Sequence, residues 1–150
     1  MSMHFTVQNL NNIKNEIKLK INSFENKNSP KIIAVSKTFA IDKIKPLIES
    51  GHIHFGENKV QEAIDKWSKI KINNSNIKLH LIGKLQTNKV KFAVKIFDYI
   101  HSVDNERLAK KISDELKKNK RHIKIFIQVN IGNEEQKSGI AVDRLNEFYN

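Results

Sequence analysis

The sequence predicts a parallel α/β fold, built either as a doubly wound sheet or as a (β/α) barrel. Short runs of β-branched residues alternate with segments whose apolar residues recur at helical spacing. The loops between them are short, and the only prolines are Pro30 and Pro46. A complete barrel has eight strands in roughly 250 residues, whereas these 150 residues supply about five.

The first half of the chain shows this alternation clearly. Apolar residues at helical spacing, Leu10 among them, predict a helix from Phe5 to Glu25, and Phe24 continues this spacing. Residues 31–35 are a continuous apolar run, typical of a strand buried on both faces. The following elements are predicted as a helix over 41–50, a strand over 52–55 and a helix over 60–70.

The second half repeats the pattern. A strand over 78–83, a helix over 88–97 and a strand over 99–102 are predicted from the same periodicities. Asp104 is a suitable N-cap for the next helix, which runs to Lys118. The fifth strand is predicted over 123–130, and a last helix begins near Val142.

The composition is strongly basic, with a net charge of +11. Lysine (24), isoleucine (22) and asparagine (18) account for 64 of the 150 residues, and arginine for only 3. These three abundant residues share A/T-rich codons, so a nucleotide bias explains most of the charge. Because sequence-specific nucleic-acid readers favour arginine, a basic nucleic-acid-binding module is only an alternative hypothesis, and we do not expect a nucleic-acid partner.

Several classes of protein are excluded or disfavoured. The absence of cysteine excludes disulfides, thiolate metal sites and a cysteine nucleophile. No apolar run approaches the roughly 20 residues of a membrane span, and no secretory signal is evident, so we expect a cytoplasmic protein without a membrane partner. The histidines do not have metal-ligand spacing, although His52 and His54 are predicted to share one face of a strand. No metal site is therefore predicted.

Candidate functional residues follow the predicted strands, because ligands of parallel α/β folds bind at the carboxyl ends of the strands. Lys37 directly follows the first strand. A desolvated lysine at such a position can attack a carbonyl and form a Schiff base, although a lysine that extends into solvent gives the same pattern. Asn58 can hold a ring oxygen or cap the next helix. Gly56 and Gly83 allow close approach of a ligand or simply form turns.

Six motifs between about Ile32 and Gly139 resemble, in order and spacing, those of the pyridoxal phosphate homeostasis protein family. They are Ile33-Ala34-Val35-Ser36-Lys37-Thr38, Phe55-Gly56-Glu57-Asn58-Lys59-Val60-Gln61-Glu62, His80-Leu81-Ile82-Gly83-Lys84-Leu85-Gln86-Thr87-Asn88-Lys89, His101-Ser102-Val103-Asp104, Gln128-Val129-Asn130 and Lys137-Ser138-Gly139. Lys84 departs from the family, which often has proline or histidine there.

The resemblance implies a (β/α) TIM-type barrel like the N-terminal domain of alanine racemase, with only its first five βα units present. It implies that Lys37 holds pyridoxal 5'-phosphate (PLP) as an internal aldimine, with Asn58 near the ring and Ile82 in the wall. The implied function is PLP homeostasis, with PLP-dependent apoenzymes as recipients and without established turnover. A PLP-dependent, racemase-like enzyme is the alternative. We expect a monomer and no catalytic residue.

The resemblance also leads us to expect that residues 1–150 form one PLP-binding domain that is incomplete at its C-terminal end. Family members continue through three more strands, whose loops hold the phosphate. Because the phosphate anchor provides much of the affinity for the cofactor, we expect weak PLP binding by a product of this length. An open parallel edge would also favour aggregation.

Overall fold

A computed structural model of the chain describes residues 3–21, 29–132 and 134–150. The strands are β1 (Ala34–Val35), β2 (His54–Glu57), β3 (Lys78–Leu81), β4 (Tyr99–Val103), β5 (Lys124–Ile127), β6 (Val129–Asn130) and β7 (Ile140–Ala141). The α-helices are α1 (Phe5–Ile21), α2 (Ile41–Glu49), α3 (Val60–Asn73), α4 (Val90–Ile96), α5 (Glu106–Asn119) and α6 (Leu145–Tyr149), with 3₁₀ turns at Thr87–Lys89 and Val142–Arg144. Within these ranges, no helix combines the length and apolar character needed to cross a bilayer.

The first five strands form one sheet in the order β1-β2-β3-β4-β5, and every neighbouring pair is parallel. A doubly wound sheet reverses its strand order at a switch point, whereas this order follows the chain without reversal. It is the arrangement of successive units of a (β/α) barrel, as the sequence predicted. Strands β6 and β7 form a second, two-stranded parallel sheet.

The apolar core lies between the sheet and helices α2 to α5. Phe55 of β2 packs against Trp67 of α3 with their ring centroids 4.8 Å apart, and neither residue is accessible to solvent. Leu79, Leu81 and Ile100 continue this buried layer across β3 and β4. Since successive strand residues point to opposite faces, their neighbours His54, His80 and His101 lie on the other face of the sheet.

The first two strands begin later along the chain than the sequence predicts. β1 contains only Ala34–Val35, and Val35 is 47% exposed, so the prediction of a strand buried on both faces is wrong. This strand lies at the edge of the sheet, where it has β2 as its single neighbour. β2 begins at His54 because the N–H of His52 donates to the Leu47 carbonyl (3.0 Å) and closes the end of α2.

The predicted strand over 123–130 is divided into β5 and β6. Helix α1 is confirmed over Phe5–Ile21, while its predicted continuation through Phe24 to Glu25 lies outside the described residues.

The N-cap of α5 is Asn105, and the prediction of Asp104 is wrong. The side-chain oxygen of Asn105 accepts a hydrogen bond from the Leu108 N–H at 2.9 Å. Asp104 instead accepts one from the Asn105 side-chain amide at 2.7 Å. Both residue types cap helices well, so the sequence pattern does not distinguish two neighbouring candidates.

We expect Asn105→Ala to lower the free energy of unfolding by about 1 kcal/mol, because the Leu108 N–H loses its acceptor. Asp104→Ala is the matched control and should change it by less than about 0.5 kcal/mol. Urea denaturation followed by circular dichroism measures both. Equal losses in the two variants would contradict the assignment of the cap.

Candidate functional site

The carboxyl ends of β1, β2 and β3 meet at one edge of the sheet. The Ser36 N–H donates to the Gly56 carbonyl (2.9 Å), and the Ile82 N–H donates to the Glu57 carbonyl (2.9 Å). These bonds continue the parallel pairing by one residue beyond β1 and β3. The residues that follow the three strands therefore lie side by side.

Two glycines make this edge compact. A Cβ atom on Gly83 would lie 2.4 Å from the Asn58 carbonyl oxygen, a distance that real side chains do not tolerate. The backbone after β3 therefore packs directly on the backbone of Asn58. A Cβ atom on Gly56 would lie 3.1 Å from Ile33 Cγ2 and 3.2 Å from Ile82 Cδ1, so Gly56 is flanked by two aliphatic side chains.

Lys37 lies in a tight turn after β1 and is exposed to solvent. The next residue, Thr38, has a φ of 64°, which is rare for a β-branched residue. Its N–H donates to Glu62 Oε1 at 2.8 Å. The Phe39 N–H donates to the Ser36 carbonyl at 3.2 Å. Contacts on both sides of Lys37 thus hold a turn that the local sequence does not favour.

A buried carboxylate lies beneath this turn. Glu57 is inaccessible to solvent, and its Oε1 accepts hydrogen bonds from Ser36 Oγ (2.7 Å), Lys66 Nζ (3.0 Å) and Trp67 Nε1 (2.9 Å). Lys66 Nζ also donates to the Ser36 carbonyl at 2.8 Å. A charged group is stable in a protein interior only when it is paired and hydrogen-bonded. Glu57 Oε1 has three donors, whereas Oε2 is buried without a hydrogen-bonding partner among the described residues.

Glu62 extends this network to the surface. The hydrogen bond from the Thr38 N–H, reinforced by Lys66 at 3.4 Å, outweighs the opposing effect of burial and lowers the pKa of the Glu62 carboxyl below its ordinary value. Glu62 is consequently ionised at neutral pH. We call Glu57, Glu62 and Lys66 the clamp, because they contact both neighbours of Lys37.

The structure brings the three predicted site residues, Lys37, Asn58 and Ile82, to the same edge of the sheet. Among the described residues, neither the Lys37 amine nor the Asn58 side-chain amide has a hydrogen-bonding partner, so both are free to bind a ligand. The Ile82 side chain lies beside Gly56 and is half-buried.

Sequence reasoning did not assign a role to the clamp. Glu57 and Glu62 lie inside one of the six family motifs, but of that motif only Gly56 and Asn58 are predicted to lie near a ligand. Two features of the sequence could have indicated these residues. One is the acidic Glu57 shortly after an apolar strand, and the other is the (i, i+4) pair of Glu62 and Lys66 on a predicted helix. Neither feature by itself indicates which backbone the charges contact.

A second polar cluster, the histidine row, consists of His54, His80 and His101 on three neighbouring strands. His54 Nδ1 lies 2.9 Å from His80 Nε2, and His80 Nδ1 lies 2.9 Å from His101 Nε2. Each contact holds one proton when all three rings are neutral. Tyr99 stacks on His80 with centroids 4.1 Å apart, and Phe126 stacks on His101 at 4.4 Å.

His52 does not join this row, so the prediction that His52 and His54 share one face of a strand is wrong. His52 precedes β2, and its Nε2 lies 2.8 Å from the His54 carbonyl oxygen. Throughout the described part of the chain, no three histidine or acidic side chains are grouped so that they could hold a metal ion. The histidine row is therefore a hydrogen-bonded and stacked cluster.

Comparisons with known proteins bear on the whole chain. The family model of the alanine racemase N-terminal domain matches residues 8–150. The pyridoxal phosphate homeostasis protein of Buchnera aphidicola subsp. Schizaphis graminum is 43% identical in an alignment of 141 residues that covers 89% of this chain and 61% of that protein. Its Escherichia coli K12 counterpart is 36% identical over 118 residues, 78% of this chain and 50% of that protein. The chain thus spans half to three-fifths of the length of these curated relatives.

Solved structures give the same result. PipY of Synechococcus elongatus without PLP matches with a TM-score of 0.72 and 35% identity, over 88% of this chain and 64% of that chain. PipY with PLP bound matches with a TM-score of 0.67 and 35% identity, over 83% and 58% of the two chains. An alanine racemase of Clostridium difficile 630 (TM-score 0.67, 19% identity, 93% of this chain and 35% of that chain) shares the fold. The resemblance predicted from the six motifs is confirmed.

We expect stability to fall as the pH drops from about 6.5 to 4. Burial, reinforced by His101 and His54, lowers the pKa of His80 to about 4. A folded-state pKa below the unfolded value means that the neutral ring stabilises the fold above pH 6.5, and that this contribution is lost on acidification. The loss over that range is on the order of 2–3 kcal/mol.

Urea denaturation between pH 7 and pH 4 measures this loss. His80→Gln should flatten the pH dependence, whereas the exposed residue His4 provides a control, since His4→Gln should leave it unchanged. The same pH dependence in wild type and His80→Gln would show that His80 is not its source.

Proposed function

The chain belongs to the alanine racemase N-terminal domain family, and we propose on that premise that it binds PLP and takes part in intracellular PLP homeostasis. The observation that carries the proposal is the free Lys37 amine, held at the carboxyl end of β1 by contacts to both of its neighbours. The names of the curated relatives and the PLP-bound PipY structure support the choice of ligand.

The residues at this edge fit PLP in their chemistry. When bound, PLP supplies an aldehyde that condenses with a primary amine and releases water. The Lys37 amine is the group we expect to react. The Asn58 amide can donate to or accept from a polar ring substituent, and Ile82 offers an aliphatic surface beside Gly56.

The remaining residues position these groups. The clamp fixes the backbone on both sides of Lys37 and so fixes the point from which the Lys37 side chain extends. The direct packing of Gly83 on the Asn58 backbone fixes Asn58 relative to Ile82. We propose that residues 1–150 act as a single PLP-binding domain, located in the cytoplasm, that releases PLP to PLP-dependent apoenzymes.

Lys37→Ala should abolish specific attachment of PLP. The full chain is incubated with PLP, reduced with borohydride and digested, and the modified peptides are identified by mass spectrometry. In the wild type, the Lys37 peptide should carry most of the label, and the visible absorption of PLP should shift on binding.

The matched control is Lys69→Ala, which removes an exposed lysine of α3 and should leave the labelling of Lys37 intact. Label distributed evenly over the 24 lysines, or an unchanged spectrum in the wild type, would refute specific binding at Lys37.

We propose that the chain binds PLP without turning over amino acids, in keeping with the names of its curated relatives. Incubation of the PLP-loaded protein with a panel of L-amino acids should produce no D-enantiomers and no keto acids. Chiral chromatography detects the first product, and mass spectrometry detects the second. Turnover that disappears in Lys37→Ala would instead establish a racemase-like or transaminase-like enzyme.

A further inference from the structure

We propose that the clamp residues Glu57 and Glu62, joined by Lys66, are positioning residues that set the conformation of the Ser36–Thr38 turn and thereby the place of the Lys37 amine. The effect of this positioning on PLP binding rests on the proposed function. The positioning itself is a property of the free protein.

The first step of the argument concerns Ser36, the residue before Lys37. Its N–H donates to the Gly56 carbonyl, and its hydroxyl donates to Glu57 Oε1 at 2.7 Å. Its carbonyl accepts from Lys66 Nζ at 2.8 Å. Every polar group of Ser36 is therefore bonded to β2 or α3, which leaves the start of the turn no freedom to rotate.

The second step concerns Thr38, the residue after Lys37. Its φ of 64° is unfavourable for a β-branched residue. The Thr38 N–H donates to Glu62 Oε1, and Glu62 pairs with Lys66. The left-handed conformation is thus held by a charged acceptor on α3. Lys66 links the two halves of the clamp, since its Nζ contacts Glu57 at 3.0 Å and Glu62 at 3.4 Å.

The third step separates positioning from stabilisation. A buried ion pair often stabilises a fold no better than apolar residues of the same volume, and its better-attested role is to specify one arrangement. Here the buried Glu57 contacts Ser36, the residue before Lys37. Glu62, which shares Lys66 with Glu57, contacts Thr38, the residue after it. A network that served only the core would not need to reach the Thr38 N–H on the surface.

The experiment compares Glu57→Gln and Glu62→Gln with Glu115→Gln in the full chain without PLP. Glu115 is a matched control because it is 8% exposed and pairs with Lys111 at 3.1 Å on α5, away from the turn. Two quantities are measured: the hydrogen exchange of the Thr38 amide by NMR, and the pH profile of the reaction of Lys37 with trinitrobenzenesulfonate, read by peptide mass spectrometry.

We expect both clamp variants to speed exchange at Thr38 by about tenfold, because the amide loses its charged acceptor or the support of that acceptor. We also expect them to alter the rate and pH profile of the Lys37 reaction, while Lys69 reacts as before. Glu115→Gln should lower the melting temperature without changing either quantity. Unchanged exchange and reactivity in both clamp variants, or equal changes in Glu115→Gln, would overturn the proposal.

Glu62→Gln keeps the test decisive if Glu57→Gln does not fold, since the Glu62 side chain is 29% exposed and its substitution leaves no buried charge unpaired by itself.

PLP titration then separates the two proposals. A wild type that does not bind PLP, with the expected exchange results, refutes only the proposed function. PLP binding of equal strength in the wild type and both clamp variants, with unchanged exchange, refutes only the clamp.

Discussion

The buried carboxylate of Glu57 is the interaction on which the candidate site depends. Its Oε1 joins three elements, because it accepts bonds from Ser36 after β1 and from Lys66 and Trp67 on α3, while Glu57 itself ends β2. An unpaired carboxylate in this position would cost several kcal/mol. The charge therefore permits only arrangements in which the strand end, the helix and the turn after β1 come together, and that arrangement presents Lys37 at the edge of the sheet.

The two faces of the sheet are stabilised by different interactions. One face carries Phe55, Leu79 and Ile100 into the core, where α3 to α5 cover them. The other face carries the histidine row, which is joined by ring contacts and shared protons in place of apolar packing. Burial keeps these rings neutral at physiological pH, so the second face gains its order from hydrogen bonds that acid removes. The carboxyl ends of the same strands remain available for binding, as parallel strands allow.

How much of the site could be predicted depends on how far apart along the chain the interacting residues lie. Lys37 and Asn58 were accessible to sequence reasoning because each follows an apolar run, and the carboxyl ends of parallel strands meet at one edge. Ile82 came only from the resemblance to the family. The bounds of β1 and β2 were not predictable, because the turn that closes α2 uses the His52 N–H, and edge position exposes Val35. The N-cap of α5 was likewise not predictable, because Asp104 and Asn105 are both suitable caps and only the structure shows which of them accepts the Leu108 N–H.

The alternation of strands and helices, the absence of thiol chemistry and the family motifs were all readable from the amino-acid sequence, because they are properties of periodicity, composition and order. Periodicity left a barrel and a doubly wound sheet open, because local patterns do not encode which strands become neighbours; the family motifs implied the barrel, and the observed strand order confirms it. The tertiary structure alone assembled the histidine row from three strands and directed Glu57 and Glu62 to the two sides of Lys37. The physical reason is that these contacts join residues 20 or more positions apart, a distance over which hydrophobic periodicity carries no information about pairing.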